Sequence, residues 1–154
     1  INAGEKMQLL SSVININNDQ PKKVLNLLSK HYPELENKKI AILGLAFKPG
    51  TNDMRESPAI PIVNDLLYKK AIITAYDPVA QEEAKKIFST KKITYSKSIN
   101  EVVNGADAVL LLTRWQEFEA LPTILNACEK IPLLIDGRRM LPKNCLPRYE
   151  GIGI

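Results

Sequence analysis

The stretch KKIAILGLAFKPGTNDMRESPA, residues 38–59, decides the fold of this chain. It begins with an apolar run, residues 39–44, whose length and β-branched content are typical of a buried strand. It closes with Ser57 and Pro58, which predict a helix N-cap and the first position of a helix. The polar loop between them contains Lys48, Gly50, Thr51, Asn52, Asp53 and Arg55. Because the free amides at a helix start carry partial positive charge, a strand, a cationic loop and a helix in this order favour binding of an anion, most often phosphate.

Beyond this stretch, strand patterns alternate with helical patterns along the chain. The strand patterns lie at residues 71–76, 93–95, 108–113 and 133–135. Such alternation predicts a parallel sheet with right-handed crossovers, covered by helices on both faces. We therefore predict an α/β fold with a doubly wound, Rossmann-like parallel sheet of about five strands in the order 3-2-1-4-5. The tail, residues 146–154, leaves room for one small terminal strand.

A long helical pattern, residues 3–30, precedes the first strand. Pro21 lacks a backbone donor, so it predicts a kink, or a break at which Asn18 or Asp19 caps a second helix. This helix stands outside the strand–helix alternation, and it can pack either on its own domain or on another chain. We divide the chain into a helical extension, residues 1–36, and a domain, residues 37–154.

In a doubly wound sheet, ligands bind outside the carboxyl ends of the strands, at the switch point between strands one and four. This rule gathers four segments at one edge, namely residues 48–55, Asp77, residues 113–115 and residues 136–139. Lys48, Arg55 and Arg138 are then predicted to converge, as binding of a diphosphate requires. On spacing alone, Lys48 and Arg55 could equally pair with Asp53 and Glu56 at the surface.

Three further residues at this edge have alternative interpretations. Asp77 ends the second strand, where an acidic residue often holds a ribose, but an Asp-Pro pair is also a common turn. Trp115 is more often a core or interface residue than a platform for a ligand. Gly44 stands without the GxGxxG spacing of a dinucleotide fingerprint, so we do not predict the primary cofactor domain here.

Composition argues against several classes of function. The chain has 154 residues, of which 45% are hydrophobic and 25% charged, as in a soluble globular domain. The formal charge of +4 comes from scattered lysine pairs, so nucleic-acid binding is not expected. No apolar run reaches the roughly 18 residues of a membrane span, and no signal peptide is visible. Two separate cysteines and one histidine predict a cytoplasmic setting and no metal site, and a first residue other than Met indicates a fragment.

Residues 47–58, FKPGTNDMRESP, resemble the FKPGTDDxRESP signature of the UDP-glucose/GDP-mannose dehydrogenases. Asn52 stands where that family usually has Asp. Further counterparts follow in order, namely the YDP turn, the ADAVLLLT strand with Trp115, the IDGR strand end and the tail from Tyr149 to Gly153. The resemblance implies the C-terminal, UDP-binding domain of that family. It also implies that the leading helix is the end of a central helix at a homodimer interface.

The family oxidises the 6-hydroxymethyl group of a nucleotide sugar to a carboxylate with two NAD⁺. The resemblance implies that this chain binds a UDP-sugar beside an N-terminal NAD-binding domain of the same protein. It implies that Arg138 binds the sugar nucleotide and that Arg55 reaches the NAD pyrophosphate. It implies a UDP site formed by Phe47, Lys48, Pro49, Gly50, Thr51, Asn52, Asp53 and Met54.

The family's nucleophilic cysteine lies in a GGSCxPKD-like segment, which does not occur in these 154 residues. Neither Cys128 nor Cys145 matches it, so no catalytic residue is expected in this chain. The chain alone is therefore expected to bind UDP weakly and to oxidise nothing. A stand-alone nucleotide-binding regulatory domain, or a dimerisation module, is the alternative.

Overall fold

A computed structural model describes residues 3–153 of the chain, with the side chains of residues 7–153. Its strands are β1 (Lys39–Leu43), β2 (Ile72–Tyr76), β3 (Ile93–Tyr95), β4 (Ala108–Leu111), β5 (Leu133–Asp136) and β6 (Tyr149–Gly151). They form one sheet in the order β3-β2-β1-β4-β5-β6, and every neighbouring pair is parallel. The predicted doubly wound sheet and its strand order are confirmed. The sixth strand is the small one for which the tail had room.

Helices cover both faces of this sheet. They are α1 (Ala3–His31), α2 (Ala59–Tyr68), α3 (Gln81–Ile87), α4 (Ile99–Val103), a 3₁₀ helix (Gln116–Ala120) and α5 (Leu121–Asn126). None of the helices in the described range is long and apolar enough to cross a bilayer.

The central strands are apolar without interruption because each of their faces is buried. Ile40 and Ile42 of β1 pack in a core that includes Val24 of α1 and Ile62 of α2. Ala41 and Leu43, which point to the opposite face, pack with residues of α4, α5 and the 3₁₀ helix. All residues of β4 and β5 are buried. Since a strand covered on both sides shows no alternation of polar and apolar residues, these runs have the pattern of a central parallel sheet.

Helix α1 is one continuous helix through Pro21, so the predicted break with a second cap at Asn18 or Asp19 is wrong. Beyond the proline, Val24 and Leu28 are buried against the sheet, and this packing holds the helix in place. Its first half is different, because the apolar side chains from Met7 to Ile16 are exposed, Met7 to 69%. The second half therefore packs on its own domain, and the first half presents an apolar surface.

Candidate functional site

The carboxyl ends of four strands meet at one edge of the sheet. In the strand register, Leu43 of β1 lies opposite Tyr76 of β2 and Leu111 of β4, and Leu111 lies opposite Asp136 of β5. Because the strands are parallel, the loops that follow them lie side by side at this edge. The four segments that the sequence was expected to gather are thus neighbours.

The loop between β1 and α2, residues 44–58, has a buried base and an exposed tip. Its base is closed by the amide of Phe47, which donates to the carbonyl of Asp53 over 2.8 Å. Met54 is buried and fixes the returning arm of the loop. Thr51 and Asp53 are half-buried, and the other predicted ligand residues of this loop are exposed, namely Phe47, Lys48, Pro49, Gly50 and Asn52. The tip is therefore open to a ligand.

A buried carboxylate holds the base of this loop. Asp77 is only 1% exposed, and its Oδ2 accepts hydrogen bonds from the amides of residues 45–46, at 2.7 and 3.1 Å, and from the indole nitrogen of Trp115, at 3.1 Å. Its Oδ1 accepts from the amides of residues 79–80. Both oxygens are therefore occupied within the chain. The turn interpretation of Asp77 applies, and Trp115 joins two loops.

Two hydroxyl groups hold the same loop base from its other side. Ser57 Oγ donates to the carbonyl of Leu45 over 2.6 Å, and Thr113 Oγ1 donates to the carbonyl of Ala46 over 2.7 Å. Ser57 Oγ also accepts from the amide of Ala59 over 3.2 Å. Helix α2 begins at Ala59 with Pro58 as its N-cap, so the predicted N-cap at Ser57 with Pro58 as the first helical residue is wrong by one position. Every backbone polar group of residues 45–46 thus has a partner, and the loop leaves the sheet in one fixed direction.

Arg55 is engaged with Asp53 at the surface. Its Nη2 lies 2.9 Å from Asp53 Oδ2, its Nε lies 3.1 Å from Oδ1, and its amide donates to the same Oδ1. The hydrogen bonds from Arg55 lower the pKa of Asp53 to about 2, with a smaller contribution from the charge of Lys48. The surface pairing considered for Arg55 is thus present in the structure.

Replacing Arg55 with Gln is expected to return the pKa of Asp53 towards its ordinary 3.8, because the side-chain donors and the charge are removed. In the native chain the carboxylate stays charged below its ordinary pKa. The pair is therefore complete above about pH 4 and is lost as the pH falls towards 2. An NMR titration of the Asp53 carboxyl carbon measures both midpoints. Lys48→Gln is the control and should move the midpoint less, whereas an unchanged midpoint in Arg55→Gln would contradict the assignment.

A second buried carboxylate fixes the turn after β5. Asp136 is fully buried, and it accepts hydrogen bonds from the amides of Arg138, Met140 and Leu141, all within 2.9 Å. It also accepts from the hydroxyl of Tyr149, and burial together with this carboxylate raises the pKa of that phenol. The position of Arg138 is therefore set by the buried Asp136, while the arginine side chain is exposed.

A cavity of about 460 Å³ lies between the turn after β5, helix α1 and the start of α2. We call it the arginine cavity, because its polar lining consists of Arg114, Arg138, Arg139, Asn17 and Gln20. Its apolar floor is formed by Val24, Ile62 and Leu112. Arg138 thus lies beside two other arginines. Lys48 and Arg55 do not line the arginine cavity, although Pro58 at the end of their loop does.

Sequence reasoning missed Arg114, Asn17 and Gln20. Arg114 could have been found from its position directly after a central strand, where ligand residues gather. Asn17 and Gln20 are three residues apart on a helix, and this spacing puts them on one face. Which face turns towards the sheet depends on packing after Pro21, which the spacing does not specify. Among the described side chains, no group of three His, Cys, Asp or Glu residues could hold a metal ion.

Comparison with known proteins agrees with this geometry. The UDP binding domain of the UDP-glucose/GDP-mannose dehydrogenase family matches residues 41–143. UDP-glucose 6-dehydrogenase AglM of Haloferax volcanii is 38% identical over 97% of this chain and 34% of its own length. UDP-glucose 6-dehydrogenase YwqF of Bacillus subtilis is 38% identical over 98% of this chain and 33% of its own length. The chain therefore spans about a third of the length of these relatives.

Solved structures give the same result at the level of the fold. A UDP-glucose dehydrogenase from Pyrobaculum islandicum superposes with a TM-score of 0.77 at 26% identity, covering 94% of this chain and 32% of that one. A ternary complex of GDP-mannose dehydrogenase from Pseudomonas aeruginosa superposes with a TM-score of 0.73 at 27% identity, covering 94% and 34%.

Proposed function

Because this chain belongs to the UDP-glucose/GDP-mannose dehydrogenase family and contains its UDP-binding domain, we propose that it holds the UDP part of a UDP-sugar. We propose that it works as the C-terminal domain of an NAD-dependent UDP-glucose 6-dehydrogenase, which oxidises UDP-glucose to UDP-glucuronate with two NAD⁺. The names of the relatives support this substrate. The main NAD site is assigned to an N-terminal domain of the same protein, and the catalytic cysteine to a GGSC-like segment outside these 154 residues. We propose to divide the chain into an extension, residues 1–36, that belongs to the central dimerisation helix, and a UDP-sugar-binding domain, residues 37–154.

The observation that carries this proposal is the anchored loop of residues 44–58. At its base, each amide and carbonyl of residues 45–46 has a hydrogen-bond partner. At its tip, Lys48 lies among other exposed residues. A rigid loop with a free cation binds phosphate without first being ordered. We assign residues 47–54 to the UDP site, with Lys48 as the main cation, and Arg138 to the sugar nucleotide. Arg55 is assigned to the NAD pyrophosphate. To bind it, Arg55 must break its ion pair with Asp53.

We further propose a homodimer and a cytoplasmic location. The exposed apolar side chains from Met7 to Ile16 support the dimer, because a patch of this kind marks an interaction surface. The two free thiols, Cys128 and Cys145, support a reducing compartment. The same apolar surface favours the second candidate function, a module that only dimerises and binds no nucleotide.

Titration of the ¹⁵N-labelled chain with UDP tests the proposed function. We expect shift changes centred on the amides of residues 47–55, and we expect Lys48→Gln to raise the Kd about tenfold, since a charge-assisted contact to phosphate is lost. Lys91→Gln is the matched control, because this exposed lysine follows α3 at the opposite edge of the sheet. The same sample should form no NADH from UDP-glucose and NAD⁺. Silence of these amides would favour the dimerisation module.

A further inference from the structure

The arginines of the chain differ in whether their side chains have partners. Arg55 pairs with Asp53, and Arg148 donates to the hydroxyl of Tyr32. Arg139 donates to the backbone carbonyls of residues 152–153. Within residues 7–153, the side chains of Arg114 and Arg138 have neither a hydrogen bond nor an ion pair. Both of these unpartnered guanidinium groups line the arginine cavity.

Among residues 7–153, the lining of the arginine cavity contains three arginines and no carboxylate. Like charges that face one space repel each other, and an anion placed between them removes that repulsion. The amides of Asn17 and Gln20 add neutral donors, and the apolar floor excludes water from one side. A volume of about 460 Å³ is in the range of small-ligand sites. The cavity therefore has the charge, the donors and the size for an oxyanion.

Both free arginines are held by a rigid backbone. The amide of Arg138 donates to the buried Asp136 over 2.9 Å. Arg114 lies between Thr113, whose hydroxyl bonds the carbonyl of Ala46, and Trp115, whose indole bonds Asp77. Only the side chains of the two arginines remain to be ordered when a ligand binds, which lowers the entropy cost of binding.

We propose that Arg114 and Arg138 together form an oxyanion site that takes one phosphate group of the nucleotide ligand, with Arg114 in direct contact with it. A guanidinium fork matches the geometry of phosphate and binds it through two hydrogen bonds. The proposal rests on the proposed function and adds to it a ligand contact, Arg114. Arg138 follows β5, two strand spacings or roughly 10 Å from the end of β1, whereas Arg114 follows β4, the direct neighbour of β1. Pro58, at the end of the β1–α2 loop, lines the same cavity. A nucleotide ligand that lies along this edge of the sheet therefore contacts both the loop and the two arginines.

Calorimetric titration of the chain and its variants with UDP and with inorganic diphosphate, at one low ionic strength, tests this site. Arg114→Gln is expected to raise the Kd for UDP about tenfold, because it removes a charge-assisted hydrogen bond to phosphate. Arg114→Lys should recover part of the affinity, because it keeps the charge and loses the fork. Arg148→Gln is the matched control, since it removes the same charge at the amino end of β6, and its Kd should stay within about twofold.

The outcomes separate this inference from the proposed function. If the native chain binds UDP and Arg114→Gln binds it equally well, the arginine site is wrong and the UDP-binding function stands. An equal loss of UDP affinity in Arg114→Gln and Arg148→Gln also overturns the site, because the change in net charge then explains both losses. If the native chain binds inorganic diphosphate in an Arg114-dependent way but not UDP, the proposed function fails and the oxyanion site stands. Binding of neither compound overturns both.

Discussion

Replacing Asp77 with alanine is expected to leave the chain largely unfolded at room temperature. The carboxylate accepts hydrogen bonds from the amides of residues 45–46, from those of residues 79–80 and from the indole of Trp115. Each buried donor that loses its acceptor costs about 1–3 kcal/mol. The free energy of unfolding of an ordinary domain is only about 5–15 kcal/mol, so the summed loss is comparable to the whole stability. Urea denaturation followed by circular dichroism measures it.

Two variants bracket this result. Trp115→Phe removes one donor and keeps an aromatic ring, so it should cost about 1–2 kcal/mol. Asp19→Ala makes the same substitution on the exposed face of α1. Among the described side chains its carboxylate pairs only with Lys22, so the cost should stay within about 0.5 kcal/mol. If the urea midpoint of Asp77→Ala were nearly that of the native chain, the stabilising role of the Asp77 carboxylate would be refuted.

Gly44→Ala is expected to destabilise the chain by about 2–5 kcal/mol, the sum of backbone strain and overpacking. Gly44 has a φ of +90°, a conformation that side chains with a Cβ rarely adopt. A Cβ at this position would lie 2.5 Å from the Cβ of Thr113 and 2.6 Å from its backbone nitrogen. Because backbone atoms cannot step aside, β1 or β4 must shift. Thr113 would then move away from the carbonyl of Ala46, and UDP affinity should fall as well.

Gly50→Ala is the matched control for this prediction. Gly50 also has a positive φ, +78°, but no atom lies within 4 Å of a Cβ built on it. Only the backbone strain remains, and the cost should be about 1 kcal/mol. Equal losses of stability in the two variants, measured by urea denaturation, would show that contact with Thr113 is unimportant.

The strand order could be predicted from the sequence, whereas the role of Asp77 could not. Alternation of strands and helices restricts a chain to few topologies, and it places the strand ends at one edge without any tertiary information. The hydrogen-bond partners of Asp77 cannot be found from the local sequence, because residues 45–46 and Trp115 are more than thirty positions away in the chain. Local spacing shows only an Asp-Pro turn. The position of Asp77 at a strand end is therefore compatible with both a ribose ligand and a turn, and only its partners distinguish the two.

The same limit explains the errors and omissions around α1 and the arginine cavity. Proline in a helix predicts a kink or a break from local chemistry, and the break is wrong because burial of Val24 and Leu28 beyond Pro21 stabilises a continuous helix. Which residues of α1 face the sheet follows from that packing. The predicted strand order already placed the segments of Lys48 and Arg138 at one edge, two strands apart. That Arg114 and Arg138 line one cavity together with Asn17 and Gln20 of α1 needed coordinates.

Two buried carboxylates, Asp77 and Asp136, separate the part of each loop that stabilises the fold from the part that is exposed to ligand. Folding depends on the loop bases, whose amides they hold, while the side chains at the tips, such as Lys48, Asn52 and Arg138, are exposed and contribute little to stability. Substitutions at the tips are therefore nearly neutral for folding. Natural selection can change ligand preference at this edge one residue at a time, and each evolutionary intermediate remains a folded protein.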